Sequence, residues 1–192
     1  MGELSSDIVH IQIAADAWGT RKLLGLCRRL SRDQFHHRFQ IGPGSLHDTL
    51  THIISATRRW TDRLAGRTLR PMLHAFPEYP HLSGESVERT VDELCALLDE
   101  AERDLQSVVK AGASKLDSTV SLDWPASDGK TKTYTFTHAA VLVHLSTHGA
   151  HHRAQCLNML RHLNIPGLSD KLPDPSAVDW QAETESPPVV RC

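Results

Sequence analysis

Long apolar runs are missing from this 192-residue chain, and no window reaches the uninterrupted length needed to cross a bilayer. The start, Met1 to Ile13, also lacks a basic segment followed by a long apolar one, so no secretory leader is expected. Charge of one sign is lacking as well. A formal net charge of −2 gives no global field to recruit nucleic acid or an anionic membrane, and neither partner is indicated. Paired cysteine spacing is a third absence. Cys27, Cys95, Cys156 and Cys192 are scattered without a CxxC, which argues against a disulfide framework or a zinc ribbon and for reduced thiols in a soluble, cytoplasmic protein.

Histidine is what the chain has. His144, His148, His151 and His152 fall within nine residues of an apolar run. Neutral imidazoles offer nitrogen donors near physiological pH, and residues four apart stack on one helical face, where two can reach one divalent ion. At about 100° per residue, the stripe of Val141, Leu142, Leu145, Met159, Leu160 and Leu163 contains His152, with His148 at its edge and His144 and His151 on the flank. The expected pair is therefore His148 and His152. A His152/Cys156 pair is the lesser alternative, and hydrogen-bonded imidazoles without metal the plain one. One ion cannot take both His148 and Cys156 from a straight helix, because eight residues rise about 12 Å.

The helical periodicity predicts four long helices in one domain over residues 1–182, with 183–192 a flexible tail. Helix one spans about Asp7 to Leu30. Trp18 on its apolar stripe reads as packing before it reads as a pocket wall. Gly42-Pro43-Gly44 breaks the chain, and Ser45 to Asp48 fits a capping box that opens helix two, which runs to Leu64 or Ala65. The stripe of helix two (Leu46, Leu50, Ile53, Thr57, Trp60, Leu64) leaves His47 and His52 on either side, His47 slightly closer, and does not choose between them as a third ligand.

Arg70 to Leu82, with Pro71, Pro77 and Pro80 and also His74, Phe76, Tyr79 and His81, reads as a long crossover of the kind that often covers a site. Helix three follows from about Val87 through Val91, Leu94, Leu98, Ala101, Leu105 and Val108 to a stop at Gly112, with a core stripe that no titratable group interrupts. Ser118 to Trp124 and Thr131 to Phe136 are β-prone around Asp128-Gly129 and predict a short hairpin or an irregular flap, serving the site or acting as a plain connector. Thr137 caps helix four, which runs to about Leu163. The proline-rich remainder reads as a surface wrap that frays.

This layout resembles the DinB family, over about Ile13 to Trp180. Ser45 to Trp60 is similar to the family's second-helix pattern, in which a histidine ligand precedes a tryptophan. His144 to Gln155 is similar to the fourth-helix pattern, with two ligands four apart before Arg-Gly-Gln; Ala154 stands where glycine is usual. The resemblance implies a four-helix bundle, up-down-down-up with a long crossover, carrying the hairpin before the last helix. It also implies His52, His148 and His152 as ligands of a divalent ion, which settles the choice between His47 and His52.

Three histidines leave open coordination positions, which marks a reactive site over a closed structural one, and the donor set suits zinc or nickel. The expected function is a metal-dependent enzyme of thiol-transferase or detoxification type, or a neighbouring hydrolase, acting on a small molecule or thiol. The alternative is a non-catalytic metal- or ligand-binding protein of stress response. Arg153 could bind an anionic substrate group, with a structural salt bridge favoured. A homodimer is expected from the resemblance.

Overall fold

The computed structural model describes residues 2–75, 84, 87–112, 116–125, 130–170, 172, 173 and 175–185, with 2–7 as backbone alone. Among them are six helices and one two-stranded sheet: α1 (Gly2–Cys27), α2 (Arg32–Phe35), α3 (Leu46–Leu64), α4 (Val91–Ala111), β1 (Thr119–Pro125), β2 (Thr131–Thr137), α5 (His138–Leu163) and α6 (Ala177–Thr184). The molecule is mostly helical with a small antiparallel sheet, as the periodicity implied. His81, Phe76, Tyr79, Pro77, Pro80 and the Asp128-Gly129 turn lie outside the described residues.

Capping explains where the helices differ from expectation. α1 stops at Cys27, before the expected Leu30, because Ser31 and Gln34 form a capping box that opens the short α2. α4 begins at Val91 and not near Val87, because Thr90 caps it: Thr90 Oγ1 accepts from Glu93 N at 3.2 Å and Glu93 Oε2 from Thr90 N at 2.7 Å. Val87 stays outside the helix and exposed. At α3 only the forward half of the expected box forms, with Ser45 Oγ accepting from Asp48 N at 3.0 Å, while the Asp48 carboxylate turns to Arg38 and His47. α6 is an element that the proline content concealed. Ser176 and Asp179 cap it, and it buries Trp180 against α1, where His10 meets the indole edge at 6.5 Å.

The main core lies between α1, α3, α4 and α5. Leu23 and Leu24 of α1, Leu46, Leu50, Ile53 and Ile54 of α3, Leu94, Leu98 and Ala101 of α4, and Cys156, Met159 and Leu160 of α5 form one buried cluster. Each of the Leu, Ile and Met side chains among them contributes about 1.5–3 kcal/mol on leaving water. Ion pairs stitch the rims: Arg21 to Asp99 and Glu102 at 2.7 and 2.8 Å, Arg28 to Asp92 at 2.8 Å. Asp62 of α3, fully buried, accepts from Arg67 Nε at 2.7 Å and from the Arg70 backbone at 2.8 Å, and Arg70 continues to Asp104 of α4 at 2.7 Å. The start of the crossover is thereby fixed to both helices.

One contact sets how closely α1 and α5 approach. Arg153 of α5 is buried and bonds Asp16 Oδ1 at 2.5 Å, Asp16 O at 3.1 Å and Thr20 Oγ1 at 3.3 Å. Burial raises the Asp16 carboxyl above its ordinary value, and the Arg153 charge opposes that rise. Gly149, one turn before Arg153, makes room: a Cβ there would run into the Asp16 carboxylate. On an open helix face Gly→Ala stabilises by about 1 kcal/mol. Gly149→Ala is instead expected to destabilise by about 1–3 kcal/mol through overpacking, read as a lower urea midpoint. A raised midpoint would show that the two helices are not held at this spacing.

Candidate metal centre

The site is built from two helices and the start of the crossover. α3 projects His52 from the edge of its apolar stripe, and α5 projects His148 and His152 from one face, a single turn apart. Nitrogens of these three residues lie within 4.8 Å of one another, and among the described residues theirs is the one grouping of three or more His, Cys, Asp or Glu that could hold an ion. His52 Nε2 is 3.0 Å from His148 Nε2. Ring centroids are 4.9 Å apart for His52 and His148, 4.6 Å for His52 and His152, and 4.4 Å for His148 and His152.

Two of the three rings are oriented from behind. His152 Nδ1 is 2.8 Å from Gln155 Oε1, an acceptor, so Nδ1 carries the proton and Nε2 keeps its lone pair. Gln155 in turn donates through Nε2 to His151 Nε2 at 2.9 Å, and its carboxamide packs over Gly42, where positive φ and the absence of Cβ leave it space. His52 Nδ1 lies 3.2 Å from Nε2 of His74, a buried residue brought down by the crossover. Leu73 N donates to Ser55 Oγ at 3.1 Å and Arg89 holds the Leu73 carbonyl at 2.8 Å, which seats His74 on α3.

Electrostatics keep the cluster neutral. Burial, then repulsion from His148, His152 and His74, pushes His52 down to about 2. Burial and the neighbouring imidazoles push His148 down to about 3, and burial takes His74 to about 4. His152 is lowered by burial, with the Gln155 bond opposing. Near neutral pH all three triad members are thus uncharged donors, the form that binds metal.

The donor set fits a divalent ion. Zinc–nitrogen bonds of about 2.0–2.1 Å place tetrahedral ligand nitrogens about 3.3 Å apart and octahedral ones about 2.9 Å. The observed 3.0 Å between His52 and His148 falls in that range. A triad of neutral imidazoles, two with their far nitrogens engaged by His74 and Gln155, is also what ligating histidines require.

The other candidates lie elsewhere. His47 is more buried than His52 yet points away: Nδ1 donates to Asp48 at 2.9 Å, Nε2 accepts from Arg89 N at 3.1 Å, and the ring stacks on His36 at 4.5 Å. His144 is exposed, one turn before His148, beside Trp60, and His151 is exposed and bonded to Gln155. Cys156 is fully buried in the aliphatic core, where burial raises its thiol well above the ordinary range. Arg153 is spent on Asp16, the salt bridge that the sequence favoured. Trp18 stacks under Lys22 at 5.0 Å.

The sequence profile of the DinB family matches residues 12–171, most of the chain. The chain belongs to the DinB family. No curated protein matches the sequence. Within this DinB-family chain, sequence reasoning missed the role of His74, whose only signal was a histidine in a proline-rich connection. Gln155 was visible in the motif, but its bond to His152 follows only from the three-residue spacing on a formed helix.

A pH dependence follows for the metal-free protein. The folded pKa values of His52 and His148 are depressed below the ordinary 6.5, so the unfolded chain takes up protons first. Stability is therefore lost as pH falls through about 6.5 and continues to fall toward the folded values. Urea midpoints taken at about pH 7.5 and about pH 5 should drop in the wild type and drop less in His52→Gln/His148→Gln. Equal drops in both proteins would mean that these imidazoles are not held neutral by the fold.

Proposed function

We propose that His52, His148 and His152 bind one divalent transition-metal ion, zinc or nickel, and that the centre serves a thiol-dependent transferase or detoxification reaction. The observation that supports it is the convergence of three neutral imidazole nitrogens within 4.8 Å, two of them oriented from behind. A bound ion would supply Lewis acidity, lowering the pKa of a thiol or water placed at an open position. The protein's own share is to hold the three rings: Gln155 fixes the proton of His152 on Nδ1, His74 engages Nδ1 of His52, and Arg153 anchors α5.

A second reading, a metal- or small-ligand-binding protein of stress response without turnover, draws on a specific feature. Among the described residues no Asp or Glu joins the triad, so proton transfer has no carboxylate at hand. Three further features belong to the same proposal. The four long helices form one bundle in up-down-down-up order, a reading supported by the pairings Arg21–Asp99, Arg28–Asp92, His52–His148 and Asp16–Arg153. The protein works in the cytoplasm, which the free thiols of Cys27, Cys95 and Cys156 favour, and no described helix is long and apolar enough to cross a membrane. It acts as a homodimer, following the family resemblance.

Elemental analysis of untagged protein should find about one divalent ion per chain and little in His148→Ala. Gln155→Leu should keep the fold and lower metal affinity by about 10–100-fold. A metal content of zero in the wild type, or one unchanged in His148→Ala, would sink the site. With the metal loaded, mass-spectrometric trapping should show conjugation between a cellular thiol and an electrophile; inertness across several thiols would leave the binding reading.

A further inference from the structure

We propose that the cleft lined by Trp60, Phe136, Ala140, Val141 and His144 is a binding subsite for a flat aromatic or conjugated ring system, one end of which lies at the histidine triad. The cleft measures about 260 Å³. Ligand clefts run upward from about 300 Å³, so this one suits one or two fused rings and not a peptide or a large cofactor. Its walls come from three separate elements: Trp60 from α3, Phe136 from β2, and Ala140, Val141 and His144 from α5.

The walls are chiefly rings, and they lead to the triad in steps. Tyr134, exposed on β2, stacks with Phe136 at 6.4 Å. Phe136 meets Trp60 edge to face at 6.1 Å, Trp60 meets His144 at 5.7 Å, and His144 lies 5.3 Å from His148. Trp60 stands at 81° to Phe136 and 70° to His144, so edges and faces alternate around the opening. A planar ligand finds both offset-stacked and edge-to-face partners there, whereas a saturated one of equal bulk finds only contact area. Arg63 lies over the Trp60 ring at 5.0 Å and helps fix the indole in place.

The hairpin is what completes this cleft. β1 and β2 pair in register, Val120 opposite Phe136, and the sheet is tied to the start of α5 by His138 N to Ser118 O at 2.8 Å and Ala139 N to Leu116 O at 3.0 Å. Phe136 is half-buried while most of β2 is exposed, so this strand lends one ring to the cleft and otherwise faces solvent. That the ligand is a substrate rests on the metal-centre reading given above. That the cleft binds it does not.

The test uses the full chain and 1-naphthol as probe, with its fully saturated decahydro analogue as control, followed by ligand-observed NMR. 1-Naphthol should bind about 2- to 12-fold tighter than the analogue. Phe136→Leu and His144→Ala should each weaken it by about 3-fold or more; His144 is exposed, so that variant reports even where Phe136→Leu disturbs the hairpin. In protein loaded with cobalt(II), the naphthol protons should broaden beyond those seen with zinc. Equal affinity for the saturated analogue, or wild-type affinity in both variants, overturns the subsite. So does bound naphthol without cobalt broadening while the visible bands of cobalt show the ion in place. If cobalt does not bind, the metal centre fails, and the affinity order across the variants still decides the cleft.

Discussion

The close approach of α1 and α5 at Gly149 governs much of what this chain can do. A helix that carries ligands must be rotated correctly about its own axis as well as placed, and α5 has apolar residues on too wide an arc for packing alone to fix that rotation. The Arg153–Asp16 pair fixes it. A buried charge left without its partner costs about 3–5 kcal/mol, so α5 cannot turn Arg153 away from α1 cheaply. With Arg153 facing α1, His148 and His152 face α3 and His52. A residue outside the site thus determines which face of the helix the site occupies.

Burying three imidazoles side by side is costly unless they are uncharged and their nitrogens are engaged. The structure meets both conditions with short-range means: a glutamine on the same helix, a histidine on the crossover, and mutual repulsion that keeps protons off. His47 solves the same problem differently, with a carboxylate on one nitrogen and a backbone amide on the other. The same residue type, five positions away on one helix, is structural there and a metal donor candidate at His52.

That contrast marks how far the sequence could be read. The long helices, the hairpin and the α5 pair were legible because periodicity reports which face is buried, and His152 sits on that face with His148 at its edge. Periodicity could not separate His47 from His52. Distance from the stripe measures burial, and the more buried histidine, His47, is the one satisfied by its own neighbours. The family resemblance chose His52, and the structure brings that residue to the triad. α6 and His74 were illegible for another reason: each lies in a proline-rich stretch whose composition signals loop, while its anchoring comes from residues farther away in the chain, His10 of α1 against Trp180, and Ser55 and Arg89 holding Leu73 beside His74.

The two backbone bonds that tie the hairpin to the start of α5 have a mechanical meaning. They fix the residues leading into β1 on the first turn of α5, which β2 enters directly, so that hairpin and helix form one lever carrying Phe136, His144, His148 and His152 together, while Trp60 and His52 ride on α3. Any hinge motion that spreads α3 from α5 widens the aromatic opening and lengthens the gap between the triad nitrogens in a single stroke. An ion at the triad and a ring in the cleft would then share one degree of freedom, and each would raise the affinity for the other by the same factor.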